Sequence, residues 1–112
     1  MLKVEAIIRQ EKLSDVKDAL AKAGFPGITV YDVKGRGRQK GIVLNYRGKE
    51  MKLDLIAKTK IELIIDDKGL ENALKVIREN AATGEIGDGK IFVYPVVDVI
   101  RIRTGERGKE AV

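Results

Sequence analysis

The sequence predicts an α+β fold in which two helices cover one face of an antiparallel sheet. Segments in which apolar and polar residues alternate, as in strands, are interleaved with two segments of helical periodicity. Their order is β-α-β, a long loop and β-α-β, which is the double split βαβ arrangement of a ferredoxin-like domain. Right-handed crossovers then place both helices on the same face of the sheet. The 112 residues suit a single domain, residues 1–112, with one modest core.

The first βαβ unit comprises three segments that precede residue 34. KVEAIIR (3–9) alternates as a strand, and GITVYDV (27–33) is a second strand rich in β-branched residues. Between them, KLSDVKDALAKAG (12–24) has apolar residues at helical spacing, and Gly24 is placed to end the helix. The stretch that follows, to about Leu55, has weak periodicity and is too long for a tight turn, which is typical of a functional or disordered loop.

The second βαβ unit follows this long loop. Asp66 and Asp67 offer an N-terminal cap to a helix with one apolar stripe, and Gly84 is placed to end that helix. The strands predicted in this half are TKIELII (59–65), KIFVYPV (90–96) and a short fifth strand, DVIRIRTG (98–105).

The sheet face that points away from the helices is predicted to be partly apolar. Ile7, Glu62, Ile64 and Phe92 fall on this face by the alternation of their strands. An isolated domain would leave these side chains in water, so we expect the face to pack against neighbouring subunits of a symmetric oligomer.

The composition argues against several classes of protein. No apolar stretch approaches the roughly 20 residues of a membrane span. The N-terminus MLKVEAIIRQ has no signal-like apolar run and the chain has no cysteine, so we expect a cytoplasmic protein. The chain also has no histidine, which removes the usual general base near neutral pH and the commonest zinc ligand. The absence of histidine lowers the expectation of an enzyme.

The basic charge is concentrated in one stretch. The net charge is +5, and Lys34, Arg36, Arg38 and Lys40 leave 18 basic against 17 acidic residues elsewhere. Such a local cluster suits a small anion better than it suits a general polyanion-binding surface. GRGRQKG (35–41) fails the dinucleotide fingerprint GxGxxG and leads into a loop, where that fingerprint needs a helix. A phosphate-binding loop and a plain basic hairpin loop both remain open.

A second glycine-rich segment, GEIGDGKI (84–91), opens like a Walker A motif. Ile91 stands where that motif has the Ser or Thr that holds magnesium, and Lys90 begins a strand where the motif has a helix. Classical P-loop chemistry is therefore not expected. The alternatives are an anion-binding nest of backbone amides and a plain helix-to-strand turn.

A third basic segment is RIRTGERGK (101–109). Arg101 and Arg103 fall on one face of the predicted fifth strand, where two guanidinium groups suit a polyphosphate or simply form a charged strand edge. The three segments have one kind of chemistry, which favours a composite nucleotide pocket shared with an adjacent subunit over three unrelated basic loops.

Four motifs of the chain, taken together, match one known family. They are VKGRGRQKG (33–41), the YRG of the long loop (46–48), TGEIGDGKIFVYPV (83–96) and RIRTGERG (101–108). On these motifs the chain resembles the PII nitrogen-regulatory signal-transduction proteins along essentially its whole length. The resemblance implies a ferredoxin-like homotrimer that binds ATP or ADP in clefts between subunits and, with ATP and Mg²⁺, also binds 2-oxoglutarate.

The resemblance also implies how such a protein works. It implies a non-catalytic regulator of nitrogen metabolism in which a protruding T-loop, about residues 37–55, changes shape with the bound ligands. That loop then signals to target proteins, most commonly an ammonium transporter. The remaining C-terminal loop spans about residues 96–112.

The site residues carried over by the resemblance fall into three groups. The positions that match nucleotide contacts of the family are Ile7, Thr29, Gly35, Gly37, Arg38, Gln39, Glu62, Ile64, Gly87, Asp88, Gly89, Lys90, Arg101 and Arg103. The positions that match 2-oxoglutarate contacts are Gln39, Lys40, Gly41 and Lys58. By resemblance, Gln39 offers its side-chain oxygen to the magnesium ion, and Lys58 pairs with the far carboxylate of the keto acid. The partner-binding positions of the T-loop are Tyr46, Arg47 and Gly48.

The T-loop departs from the family pattern in its modification motif, which here reads YRGKEM. Met51 replaces the tyrosine that many bacterial members have uridylylated or adenylylated, and Lys49 replaces the serine that cyanobacterial members have phosphorylated. Covalent control at those two positions is therefore chemically excluded.

Two other functions are weighed against the regulator. A nucleic-acid-binding module would use the basic loop 34–41, but the chain has few aromatic residues and no stacking platform. A nucleotide hydrolase without histidine, and with no carboxylate aimed at a water molecule, is expected to be slow.

Overall fold

The computed structural model of the chain describes residues 1–36, 42–46, 49–53 and 55–112, the two short middle ranges by their backbone. In chain order its strands and helices are β1 (Leu2–Ile8), α1 (Leu13–Lys22), β2 (Thr29–Gly35), β3 (Ile42–Tyr46), β4 (Lys49–Leu53), β5 (Ile56–Ile65), α2 (Leu70–Ala81) and β6 (Lys90–Pro95). Short 3₁₀ turns precede both helices, and a third turn lies near the C-terminus.

The main sheet is antiparallel and has the strand order β2-β5-β1-β6. The two split βαβ units are therefore present, and the predicted α+β, ferredoxin-like fold is confirmed. Gly24 ends the first helix as predicted, since it follows α1 with a φ of 96°, a conformation that glycine adopts without strain.

The core lies between the two helices and one face of the central strands. Alternate residues of β1 and β5 point to this face, and residues at helical spacing on α1 and α2 meet them. The buried apolar residues are Val4, Ala6, Ile8, Val16, Leu20, Ile61, Leu63, Ile65, Ala73, Ile77 and Ala81. This single cluster fixes the register of the sheet, because a shift by one residue would turn every one of the buried strand residues out of the core.

In the described part of the chain, no helix covers the opposite face of the sheet. Glu62 of β5 lies directly opposite Glu5 of β1, which in turn lies opposite Phe92 of β6, and Ile64 lies opposite Lys3. These residues alternate with the buried ones, so the prediction that Ile7, Glu62, Ile64 and Phe92 face away from the helices is confirmed. On this face the Lys3 ammonium lies 4.5 Å from the centre of the Tyr94 ring and 3.9 Å from the Glu62 carboxylate.

The start and end of α2 differ from the prediction. Neither Asp66 nor Asp67 caps the helix with its side chain, because the 3₁₀ turn Asp67–Gly69 precedes α2 and Gly69 takes the N-cap position. Asp67 instead accepts a 2.7 Å hydrogen bond from the N-terminal ammonium group of Met1. The helix ends at Ala81, since Ala82 already has extended dihedral angles, and Gly84 therefore lies in the following loop.

The predicted fifth strand, DVIRIRTG, is wrong. Only one isolated bridge, between Ile100 and Arg107, forms in this segment. The chain turns back between them, with the Gly105 amide donating to the Arg101 carbonyl at 2.7 Å and Gly105 at a φ of 76°. Arg101 and Arg103 therefore do not share one face of a strand.

The long loop between β2 and β5 contains regular structure that its weak periodicity did not predict. β3 and β4 pair as a two-stranded antiparallel ladder from Ile42–Leu53 to Tyr46–Lys49. This ladder lies within the stretch 37–55 that matches the T-loop.

None of the helices in the described part of the chain is long and apolar enough to cross a membrane.

Shortening Ile61 tests the position of the core. Ile61 is fully buried at the centre of β5, so Ile61→Ala is expected to lower the free energy of unfolding by about 2–5 kcal/mol and Ile61→Val by about 1 kcal/mol. Urea unfolding measures both. Equal costs for the two variants, or a cost for Ile61→Ala below about 0.5 kcal/mol, would contradict the core described above.

Candidate functional site

The candidate site is built around the segment between α2 and β6, Thr83–Gly89, here called the α2–β6 loop. It lies beside the C-terminal end of β1, because Lys90, the first residue of β6, pairs with Ile7. Three of its residues, Gly84, Gly87 and Gly89, have φ values of 89°, 104° and 101°. Such values are strained for other residues, so the glycines let the backbone follow this path.

The Asp88 carboxylate is the centre of the hydrogen bonding in this loop. Oδ2 accepts from the backbone amides of Thr83 and Gly84 at 2.8 and 2.9 Å. Oδ1 accepts from the Thr83 hydroxyl at 2.5 Å and from Nε of Arg9 at 3.0 Å. The Thr83 hydroxyl, the two amides and Arg9 all favour the charged form, so they hold the pKa of Asp88 well below its usual range.

Arg9 joins the loop to the sheet. It follows the last residue of β1, and besides its bond to Asp88 its terminal nitrogen donates to the Ile86 carbonyl at 2.9 Å. No motif of the sequence predicted a role for this residue. The only signal was its place, a basic residue directly after a buried strand and at the same end of the sheet as the glycine-rich loop.

Lys58 reaches the same loop from β5. Only 8% of its surface is exposed, and its ammonium group donates a hydrogen bond to the Gly87 carbonyl. Burial lowers the pKa of Lys58 and the nearby positive charge of Arg9 lowers it further, while Glu11 and Asp88 act in the opposite direction. An ammonium group has three N–H donors, so Lys58 can donate to a ligand as well as to the loop.

Gly89 brings the loop backbone into contact with β1. A Cβ atom at this position would lie 1.7 Å from the carbonyl oxygen of Ile7 and 2.7 Å from its carbonyl carbon. No side chain larger than hydrogen fits there without a movement of the backbone. This contact is the kind of close approach for which a positive-φ glycine is required.

Several amides of the loop are not used by the fold. Among the described residues, the backbone N–H groups of Ile86, Gly87, Asp88 and Gly89 donate to no protein acceptor. They are followed by Lys90, and a groove of about 370 Å³ beside the loop is lined by Asp88, Gly89 and Lys90 together with residues of β1, α2 and β6. Successive amides without a partner and a following lysine are the features of an anion-binding nest.

Other residues of the predicted site lie on the open face of the sheet. Thr29 of β2 is directly opposite Glu62 of β5, and Ile64 follows two residues later on the same face. Gly35 is the last residue of β2 and pairs with Ile56. The structure therefore groups Thr29, Glu62 and Ile64 on the open face, while Gly87 to Lys90, Ile7 and Lys58 come together at the loop.

The two arginines of the C-terminal segment stand apart from this group. Nη1 of Arg101 lies 3.1 Å from Oε2 of Glu106, and its other terminal nitrogen donates to the Glu110 carbonyl at 3.4 Å. Arg103 is exposed. Within the described residues neither arginine forms a hydrogen bond or an ion pair with the α2–β6 loop.

The remaining predicted site residues belong to the stretch 37–55 that matches the T-loop. Gly37, Arg38, Gln39, Lys40, Gly41, Arg47 and Gly48 lie outside the described residues, and Tyr46 is described by its backbone in β3. The predictions for these residues stay predictions. Among the residues that are described, no group of three or more His, Cys, Asp or Glu side chains is placed to hold a metal ion.

Comparison with known proteins identifies the family. The family model described as Nitrogen regulatory protein P-II matches residues 1–106. The chain belongs to the P-II family.

P-II relatives match the chain over its whole length. It is 55% identical over 112 residues to Nitrogen regulatory protein P-II 1 of Methanothermobacter thermautotrophicus, covering 100% of this chain and 97% of that protein. It is 54% identical to Nitrogen regulatory protein P-II of Rhodospirillum rubrum and 49% identical to that of Pasteurella multocida, with full coverage of both chains in each case. The family resemblance read from the motifs is thus confirmed. P-II proteins are regulators of nitrogen metabolism and not enzymes. This chain, as a member of the family, is therefore a regulator as well.

The contact of Gly89 with β1 gives a matched pair of variants. Ala at Gly84 meets only the strain of a positive φ, since nothing lies within 4 Å of its added Cβ, whereas Ala at Gly89 adds a backbone clash. Gly84→Ala is expected to cost about 1–2 kcal/mol of unfolding free energy, and Gly89→Ala clearly more. Urea unfolding of the two variants provides the comparison, and a cost for Gly89→Ala equal to or below that of Gly84→Ala would contradict the packing of the loop.

Proposed function

We propose that this P-II protein binds ATP or ADP, with Mg²⁺ and 2-oxoglutarate, in clefts between the subunits of a homotrimer, and reports their levels through its T-loop. The observation that carries the proposal is the α2–β6 loop, with four successive amides that have no partner among the described residues. Its proposed targets are proteins of nitrogen metabolism in the cytoplasm, with an ammonium transporter as the first candidate.

The phosphate groups of the nucleotide fit the α2–β6 loop. Phosphate oxygens are strong acceptors, and the loop supplies amides from Ile86 to Gly89 followed by the Lys90 ammonium. The Asp88 charge does not oppose this binding strongly, because Arg9 forms an ion pair with it at 3.0 Å. Arg38, Arg101 and Arg103 would complete the neutralisation of a triphosphate, with a second subunit contributing part of them.

The base and sugar of the nucleotide fit the open face of the sheet. Glu62 and Thr29 lie side by side there and supply polar groups, while Ile64 and Ile7 supply apolar surface. On the same face Phe92 and Tyr94 expose 42% and 40% of their surfaces. A neighbouring subunit packed against these side chains would both bury them and close the cleft.

The dicarboxylate 2-oxoglutarate fits Lys58. A buried ammonium group with a lowered pKa regains stability in its charged form when a carboxylate binds beside it. In the proposed site Gln39 would hold Mg²⁺ together with phosphate and keto-acid oxygens, and oxygen ligands of this kind suit the ion. The Asp88 oxygens already accept hydrogen bonds from Thr83, Gly84 and Arg9, which is consistent with a metal ion held mainly by ligand oxygens.

The sheet connects this ligand site to the T-loop. Lys58 pairs with Val33 on β2, and two residues further on Ile56 pairs with Gly35, where β2 ends and the long loop begins. A ligand held by Lys58 therefore acts on the strand pair from which the T-loop extends. Binding shifts the T-loop only if the ligand prefers one loop state, and a coupling of about 1–3 kcal/mol is enough for an appreciable switch.

Titration calorimetry tests the proposed function. ATP with Mg²⁺ is expected to bind the wild-type protein, and 2-oxoglutarate is expected to tighten that binding about fivefold or more. Gln39→Ala is expected to remove the enhancement while ATP still binds, because the magnesium-linked keto acid depends on that side chain whereas ATP keeps its other proposed contacts.

Gln10→Ala is the matched control, since Gln10 is an exposed glutamine of the first 3₁₀ turn and has no place in the proposed site. Absence of ATP binding by the wild-type protein would overturn the proposal as a whole. Binding of ATP without any mutual enhancement by 2-oxoglutarate would overturn the sensing of the keto acid.

A further inference from the structure

We propose that Asp88 is a positioning residue, which together with Arg9 holds the α2–β6 loop in its anion-binding shape and whose carboxylate does not contact the bound nucleotide. This inference rests on the proposed function, since it assigns a role within the same site. It separates the role of the Asp88 carboxylate from that of the loop amides and the Lys90 ammonium group, which would contact the ligand.

The hydrogen-bonding capacity of Asp88 is already filled. An ionised carboxylate has about four lone-pair positions, and Asp88 accepts four hydrogen bonds, two on each oxygen, from Thr83, Gly84 and Arg9. A ligand group that bound this carboxylate would have to displace one of these donors. Each displacement would leave a backbone amide, a hydroxyl or a guanidinium group without its charged partner, which costs free energy.

The bonds of Asp88 determine the shape of the loop. By binding the amides of Thr83 and Gly84, Asp88 draws the two ends of the loop together across Glu85, Ile86 and Gly87. The Glu85 amide then donates to the Thr83 hydroxyl at 3.1 Å. The first amides of the loop are thus consumed by internal bonds, and the amides from Ile86 to Gly89 are left for a ligand.

Arg9 fixes this closed loop to the sheet and adjusts its charge. It donates to Asp88 and to the Ile86 carbonyl, so one side chain at the end of β1 holds two points of the loop. The positive charge of Arg9 offsets the negative charge of the Asp88 carboxylate, which lies beside the proposed anion site. The charge that attracts a phosphate group to the loop then comes from Lys90, which is outside this ion pair.

Asp88→Asn separates this role from direct contact. An asparagine keeps the size of the side chain but replaces one acceptor oxygen with an NH₂ group, which cannot accept hydrogen bonds. Some of the donors that bind Asp88 therefore lose their acceptor, and the two ends of the loop are no longer held together. The ATP·Mg²⁺ affinity is expected to fall about tenfold, and the amides of Thr83 and Gly84 are expected to exchange hydrogen faster in the ligand-free protein. Asp67→Asn is the matched control, because it removes the same charge from a carboxylate that binds the N-terminal ammonium group and has no place in the proposed site. The ATP·Mg²⁺ affinity of this variant is expected to match wild type.

Two variants of Thr83 keep the test independent of a folding defect in Asp88→Asn. Thr83→Ser retains the hydroxyl that binds Asp88 and is expected to bind ATP·Mg²⁺ within about twofold of wild type. Thr83→Ala removes that hydroxyl and is expected to weaken binding and to speed exchange in the loop, in the same direction as Asp88→Asn. Rescue by serine but not by alanine assigns the effect to the hydrogen bond.

The outcomes distinguish the two proposals. Affinities of Asp88→Asn and Thr83→Ala within about twofold of wild type would overturn the positioning role and leave the proposed function standing. Weakened binding by Asp88→Asn, with unchanged exchange of the loop amides in the ligand-free protein, would also overturn it, because the carboxylate would then act by contact with the ligand. A wild-type protein that does not bind ATP would overturn the proposed function, and this assignment with it.

Discussion

The site depends on the direct packing of the α2–β6 loop against the C-terminal end of β1. Gly89 lies so close to the Ile7 carbonyl that a single added carbon atom would overlap it, and Arg9, two residues after Ile7, binds the loop at Asp88 and Ile86. This contact places the loop amides at the C-terminal end of β1, which is an inner strand of the sheet. Sites held by regular elements keep their geometry better than sites built on loops alone.

The two faces of the sheet have different roles: one forms the core and the other is open. One face packs against both helices and supplies the buried core, which sets the strand register. The register in turn places Lys58 beside the α2–β6 loop and Gly35 at the start of the T-loop, on neighbouring strands. A small displacement of Lys58, or of Gly87 to which it is bonded, is therefore only one strand away from the base of the T-loop. The proposed ligand sensing requires a connection of this kind.

Much of this arrangement follows from the sequence, and the exceptions have physical reasons. The alternation of β1 and β5 predicted both faces of the sheet, because one residue in two must enter the core. The pattern DVIRIRTG alternates equally well, but Gly105 and Gly108 allow tight reversal, with φ values of 76° and 70°, and no neighbouring strand in the described chain offers a full ladder. Asp67 failed as a helix cap because a 3₁₀ turn separates it from the first residue of α2, and its carboxylate instead binds the N-terminal ammonium group of Met1, distant in sequence.

The candidate site was also predictable from the sequence only in part. Its glycines and Lys90 were visible as a local motif, since backbone freedom and charge are properties of single residues. The role of Arg9 was not visible, because its partner Asp88 is 79 residues away and only the folded sheet brings them together. The β3–β4 ladder was missed because the weak alternation of that stretch gives little local signal.

The central claim is that the α2–β6 loop binds the phosphate groups of a nucleotide through its backbone amides. The most direct test is a titration of ¹⁵N-labelled protein with ATP and Mg²⁺, followed through the backbone amide signals. The largest shifts in the described part of the chain are expected at Ile86, Gly87, Asp88 and Gly89. Saturable binding that leaves these four signals in place and moves those of α1 and α2 instead would contradict it.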